Sequence, residues 1–381
     1  MSLRILHTSD WHLGRSFFEE SLQADQAWVL DRLVEALRDL RPDALVVAGD
    51  VYDRAVPTKE AVELLDDVLW RVAALGIPVV AIAGNHDSPE RLSFGARLLE
   101  GSHVHLRGGL EGIATPVPIA GKGLVYAAPF VDPDVVRTLV KDDAIRGHAA
   151  ATERVLAEAR RDAAGRDLPT VLVAHAFVQG AQETRESERP ISVGTAGSIP
   201  ASALAGFDYV ALGHLHGPQE VAPGVRYSGS LLKYSFAEAS HRKAALLVEV
   251  DRGRATATPV PLGQRRDVAR IQGTLHDLLH RADLERHRGD LVEATLDDED
   301  YVVDARLKLQ ARFPHVSNVR RRAHAPGPGG SFSSRVAGTA GDDMALFRAF
   351  LGDVIATPPT EAQAACFAEA VEAVARKERE S

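Results

Sequence analysis

The stretch Ala44-Leu45-Val46-Val47-Ala48-Gly49-Asp50 decides the fold. An unbroken aliphatic run of this length reads as a strand buried on both faces, as in the middle of a parallel sheet. Gly49 closes the run and delivers the Asp50 carboxylate to the carboxyl edge of the sheet, where α/β folds place their ligands. Four other stretches end in polar clusters after apolar runs of their own: Thr8-Ser9-Asp10-Trp11-His12, Gly84-Asn85-His86-Asp87, Ala174-His175 and Gly213-His214-Leu215-His216. The five read as loops at one sheet edge, converging on a pair of metal ions with Asp50 between them.

Working outward, Leu3 to Thr8 is the opening strand, and Ala27, Leu30, Leu33, Val34 and Leu37 recur at helical spacing from Gln23 to Leu40. Thr58 caps a second helix that stops at Gly76, before a strand from Val79 to Ala83. This β-α-β-α-β order predicts a layered α/β domain with parallel neighbours. Arg91 to Leu99 reads as a short helix, Asp134 to Ala164 as a surface helix, and Gln182 to Arg189 as a charged loop. Strands are expected at Thr170–Ala174, Tyr209–Leu212, Arg226–Ser230 and Ala244–Val250.

The first domain therefore spans residues 1–263, and a small α+β domain follows over 264–322. Residues 323–341, with Pro326-Gly327-Pro328-Gly329-Gly330, read as a flexible linker. Residues 342–381 form a helical hairpin split by Pro358-Pro359, too small for a core and suited to docking on a partner or packing back on its own domain.

The chain has 381 residues with 44 Lys and Arg against 53 Asp and Glu, a formal charge of -9, which argues against binding nucleic acid through bulk positive charge. The clusters Arg265-Arg266, Arg270 and Arg320-Arg321-Arg322 leave two readings open, DNA backbone contacts or a solvated edge. One cysteine, Cys366, excludes an intramolecular disulfide. With no leader-like or membrane-length apolar run, the expectation is a cytoplasmic protein with no membrane association.

Residues i and i+2 of an extended stretch face the same way, so Asp10 with His12, and His214 with His216, can each give two donors to one site. Asp50, Asn85 and His175 complete a set of oxygen and imidazole donors that favours manganese, iron or zinc and is too histidine-rich for a simple magnesium site. The set is too large for one ion. With Asp50 bridging, it suits two ions that activate water and clamp the oxygens of an in-line displacement at phosphorus, the hydrolysis of a phosphate ester. His86 is then expected beside the substrate, stabilising phosphate charge or protonating the leaving oxygen, with Asp87 holding its ring. His7 reads as a packing or supporting residue, and the remaining histidines as surface or structural.

The ordered set Asp-x-His, Gly-Asp, Gly-Asn-His-Asp, strand-His and Gly-His-x-His resembles the calcineurin-like metallophosphoesterase superfamily. His7 to Gly14, Ala48 to Asp53, Ala83 to Ser88, Ala211 to His216 and Tyr227 to Ser230 with Ser235-Phe236 are similar to its DNA-repair nuclease branch. The resemblance implies a layered β-sandwich flanked by helices, a DNA-capping domain at 264–322, and two Mn2+ ions, with Mg2+ or another divalent ion as an alternative. It implies one ion on Asp10, His12, Asp50 and His216, and the other on Asp50, Asn85, His175 and His214, with His86 catalytic. It also implies a homodimer, for which the helix from Arg91 to Leu99 is a candidate contact. A DNA substrate is implied too, along with a heterotetramer with the SMC-like ATPase SbcC, docked through the C-terminal helices. Archaeal and eukaryotic relatives carry histidine where this chain has Asp53. The alternatives are another calcineurin-like activity, such as a protein phosphatase or small phosphodiesterase, and a DNA-end tethering scaffold.

Overall fold

The computed structural model describes residues 2–184, 197–322, 343–354 and 358–380. Two compact units divide them, the first made of residues 1–271, 281–293 and 306–318, the second of residues 272–280, 294–305 and 319–381. The segment 264–322 thus contributes to both.

The first unit is built on two six-stranded sheets. One runs in the order Arg254–Pro261, Ala244–Asp251, Leu3–Thr8, Ala44–Val47, Val79–Ile82 and Val104–Arg107. Its last four strands are parallel, and Leu3–Thr8 pairs antiparallel with Ala244–Asp251. The other runs Gln219–Ala222, Val225–Tyr227, Tyr209–Gly213, Thr170–His175, Gly123–Ala128 and Val117–Ile119, parallel at its centre and antiparallel at both margins.

Strand alternation sorts the side chains into layers. Leu3, Ile5, Ala44, Val46, Val80 and Ile82 of the first sheet face Val125, Val171, Val173 and Ala211 of the second. The alternate residues Leu6, Leu45, Val47 and Val79 pack under Leu30, Leu33, Leu37 and Val68 of the helices Gln23–Leu40 and Lys59–Ala74. On the far side, Leu172, Val210 and Leu212 meet Leu156, Ala159 and Ala163 of the helix Gly147–Ala164. Every residue from Ala44 to Val47 is buried, as a strand with a layer on each face requires.

Helix ends follow local chemistry. The Thr58 hydroxyl accepts the Ala61 amide at 3.3 Å. The expected helix from Arg91 to Leu99 is two single turns, Pro89–Leu92 and Ala96–Leu99, broken at Gly95 in the left-handed region. Likewise Asp134 to Ala164 is two helices, Pro133–Val140 and Gly147–Ala164, the first closed by Lys141 at φ 53°. The strand Arg254–Pro261 was not expected from its prolines. It lies at the sheet margin, where a missing amide donor is tolerated.

Arg266 is tied to Asp25 at 2.6 Å and Glu20 at 3.2 Å, and Arg270 to Glu293 at 2.8 Å. These two arginines serve carboxylates of their own unit. The second unit includes the helices Asp343–Val354 and Glu361–Glu380, joined by a stack of Phe347 on Phe367 with ring centroids 4.1 Å apart. Residues 185–189 of the charged loop and the whole 323–341 stretch lie outside the described residues. Among the described residues no helix is long and apolar enough to cross a membrane.

Candidate metal centre

The polar clusters converge at one end of the sandwich, and they come from both sheets. Asp10, His12, Asp50 and Asn85 follow strands of the first sheet; His175, His214 and His216 belong to the second. Asp10 and His12 do not converge through strand alternation. Asp10, His12 and Asp50 have φ of 53°, 45° and 50°, and His214 has φ 109°. Left-handed backbone at non-glycine residues is strained and clusters where side chains must be aimed. It is held by main-chain bonds, Asp10 N to Gly49 O at 3.0 Å and His12 N to Asp50 O at 2.9 Å.

The glycines of the motifs make room for the site. A Cβ on Gly84 would fall within the Asp50 carboxylate, one on Gly49 within the His175 ring, and one on Gly213 against the Ala48 carbonyl.

Asp10, His12 and His216 each offer a donor atom within 4.8 Å of the others, as do Asp10, Asp50 and His175. Asp50 Oδ2 lies 3.7 Å from His12 Nε2 and 3.5 Å from His175 Nε2, between the two groups of histidines. Asn85 Oδ1 sits 2.9 Å from His175 Nε2 and 3.1 Å from His214 Nδ1. His12 Nε2 and His216 Nε2 are 3.1 Å apart.

Ring orientations fit a cation. His175 Nδ1 donates to the Ala48 carbonyl at 2.9 Å, which turns the Nε2 lone pair inward. His216 Nδ1 donates to Glu238 at 3.2 Å with the same result. Burial lowers the basicity of all four imidazoles, with His12 pushed down to about 3, so neutral rings present lone pairs rather than protons near pH 7. A set of converging carboxylates and neutral imidazoles is a divalent-metal site.

His86 stands beside this cluster, its Nε2 4.0 Å from Asp50 Oδ2. Its ring is not held by Asp87. Nδ1 donates instead to the Asp53 carbonyl at 2.8 Å. The Asp87 carboxylate is occupied by three amides, Tyr52 and Gly84 at 2.8 Å each and Val51 at 3.1 Å, and so joins the Asp50 loop to the Asn85 loop. The turn geometry after Gly84 directs Asp87 back into the backbone, which spacing along the chain does not reveal.

His7 is a supporting residue, as expected: Nε2 donates to the Leu212 carbonyl at 3.2 Å and Nδ1 lies 3.0 Å from the Tyr209 hydroxyl, linking the sheets. Sequence reading missed Glu238, fully buried, and Lys243, which pairs with it and donates to the His216 carbonyl at 2.8 Å. Their only signal was a charged pair after Ser235-Phe236.

A two-sheet sandwich carrying a metal centre on its loop ends is the architecture of a metallophosphoesterase. Residues 3–218 match the calcineurin-like phosphoesterase family, and residues 264–354 match the type 5 capsule protein repressor C-terminal domain, the SbcD C-terminal family. The chain is 36% identical over 316 residues to the SbcD subunit of nuclease SbcCD from Staphylococcus saprophyticus, covering 82% of this chain and 83% of the relative. A crystal structure of TT1561 from Thermus thermophilus is 16% identical with a TM-score of 0.41, covering 68% of this chain and 99% of that one. The chain belongs to the SbcD family of calcineurin-like phosphoesterases.

Proposed function

We propose that the chain is the nuclease subunit of an SbcCD-type complex, a metal-dependent hydrolase of DNA phosphodiesters acting with an SbcC ATPase in double-strand break repair, recombination and replication. The observation that carries this reading is Asp50 Oδ2 standing between His12 Nε2 and His175 Nε2, at 3.7 and 3.5 Å. That position suits a bridging carboxylate. Asp10, His12, Asp50 and His216 would hold one divalent ion, and Asp50, Asn85, His175 and His214 the other; the oxygen and imidazole donors suit manganese, iron or zinc, and Mn2+ is the ion that the family resemblance implies.

Bound divalent ions supply charge neutralisation and water activation at the phosphate. The chain's own contribution is orientation and proton handling. The Asp53 carbonyl fixes the Nδ1 proton of His86 and leaves Nε2 to meet the phosphate or the leaving oxygen. The activities proposed are 3′ to 5′ exonuclease action on duplex ends and endonuclease action on single strands and hairpins, by a homodimer that joins SbcC through the helices of residues 343–380.

The test is cleavage of end-labelled duplex and hairpin DNA with Mn2+, with and without SbcC and ATP. Degradation that needs metal and rises with the partner supports the reading. Hydrolysis only of a phosphoprotein or a small phosphodiester would move the assignment to another phosphoesterase activity, and no hydrolysis at all to a tethering scaffold.

A further inference from the structure

A cavity of about 630 Å3 lies against the loop that carries Asn85. Gly84 and Asn85 form part of one wall, and Leu110, Phe130, Val135 and Leu139 give the cavity an apolar lining. Val135 and Leu139, on the helix Pro133–Val140, are each 54% exposed, so the chain's own packing does not cover this face. Such a volume and lining suit a small flat ligand.

Two residues tie the cavity to the metal centre. Asn85 lines it and also places Oδ1 at 2.9 Å from His175 Nε2 and 3.1 Å from His214 Nδ1. Phe130 lines it and meets the His175 ring edge-on, with centroids 6.3 Å apart, while its amide is fixed on the Ala83 carbonyl at 2.9 Å. A group in the cavity is therefore a neighbour of whatever the centre holds.

The remaining charge is acidic. Glu90, Glu111 and Asp132 line the cavity, and no lysine or arginine does so among the described residues. These carboxylates repel phosphate, which keeps the backbone of a bound strand on the metal side. An uncharged nucleobase is admitted, and its flat face suits the Phe130 ring. Carboxylates only accept hydrogen bonds, which favours the exocyclic amino groups of adenine, cytosine and guanine over thymine, whose exocyclic oxygens also only accept. We infer that the cavity receives an unstacked nucleobase of the strand being cut, seated on Phe130 beside Asn85, with Glu90 and Glu111 selecting bases that carry an amino group. Unstacking is least costly where the strand is unpaired, so the cavity favours single strands, hairpin loops and frayed ends over intact duplex.

This inference rests on the nuclease reading, and the experiment separates them. Full-length protein with SbcC, ATP and Mn2+ is given end-labelled single-stranded oligonucleotides in which an abasic residue, and then each base in turn, is stepped through the positions around one cut. An abasic residue at one fixed position from the cut is expected to slow cleavage by about 10-fold or more, and thymine there by about 3- to 10-fold against the other bases. Leu139→Trp, at an exposed position where the larger ring fills the cavity, is expected to bring the intact and abasic substrates within about 3-fold of each other. Glu90→Gln combined with Glu111→Gln, whose amides both donate and accept, is expected to erase the discrimination against thymine and keep the abasic penalty. Wild-type cleavage that ignores abasic position and base identity overturns the inference, as does an abasic penalty unchanged in Leu139→Trp; either result leaves the nuclease reading standing. Discrimination against thymine that survives the double variant overturns the part assigned to the carboxylates. No cleavage of any oligonucleotide, with a small phosphodiester still hydrolysed, overturns the nuclease reading and the inference with it.

Discussion

His86 Nδ1 lies 2.8 Å from the backbone carbonyl of Asp53, which fixes the ring without drawing on any side chain. Because a carbonyl only accepts, the Nδ1 proton is fixed and Nε2 is the working nitrogen. His86→Gln removes that nitrogen but leaves the proposed ligand set whole. DNA cleavage is expected to fall by about 10²- to 10⁴-fold, with Mn2+ affinity unchanged within about 3-fold. Parallel cleavage and metal titrations check this; a matching loss of metal affinity would make His86 a ligand instead.

Asp87 gives the opposite signature. Asp87→Ala leaves the Val51, Tyr52 and Gly84 amides without their acceptor. At about 1–3 kcal/mol for each buried group left unsatisfied, a stability loss of several kcal/mol is expected. Urea unfolding of the metal-free protein measures it, and a loss below about 1 kcal/mol would contradict a loop-joining role for Asp87.

Gly84→Ala places a methyl group against the Asp50 carboxylate. The overpacking costs about 1–3 kcal/mol and displaces the proposed bridging oxygen. Both metal-binding steps are therefore expected to weaken together, because the side chain shared by both sites moves. Calorimetry on this variant provides the check, with wild-type binding as the contrary result.

His7 makes the fold acid-sensitive. Burial pushes its imidazole down to about 3, against the Leu212 carbonyl, which acts to raise it. The unfolded chain takes up this proton near pH 6.5 and the folded chain does not. The stabilising contribution is therefore complete above pH 6.5 and is lost as pH falls toward 3, at up to about 1.4 kcal/mol per pH unit. In metal-free protein, His7→Gln is expected to flatten the fall in unfolding free energy between pH 6.5 and 4. Parallel curves for the two proteins would place the acid sensitivity elsewhere.

Removing residues 343–381 is expected to abolish binding to SbcC and to spare Mn2+-dependent hydrolysis of a small phosphodiester, because every proposed ligand lies before residue 217. Pull-down and a chromogenic substrate read the two arms. Retained SbcC binding would show that the docking surface lies elsewhere.

Phe94 and Leu98, 87% and 86% exposed, are not packed on their own sheet, although Leu92 in the same stretch is. The sequence showed an apolar helix but not its break at Gly95, because the periodicity of four apolar residues is satisfied equally by one helix or two turns. The helix Gln23–Leu40, by contrast, was legible to the residue, since a long amphipathic run between a strand and Arg41-Pro42 has one consistent reading.

By itself, the sequence determined the alternating strands and helices of the first unit, the strand-end positions of the proposed ligands, and the chemistry those oxygen and imidazole donors can support. Each of these is a local matter of apolar period, turn residues and side-chain type. Tertiary structure alone decided that the loops come from two sheets, that left-handed backbone aims Asp10, His12 and Asp50, that Asp87 serves the backbone while Asp53 holds His86, and that Glu238 stands behind His216. These relationships join residues as far apart as Asp10 and His214, whose amide meets the Asp10 carboxylate at 3.0 Å. Packing of one sheet on the other sets such distances, and no spacing along a single chain encodes them.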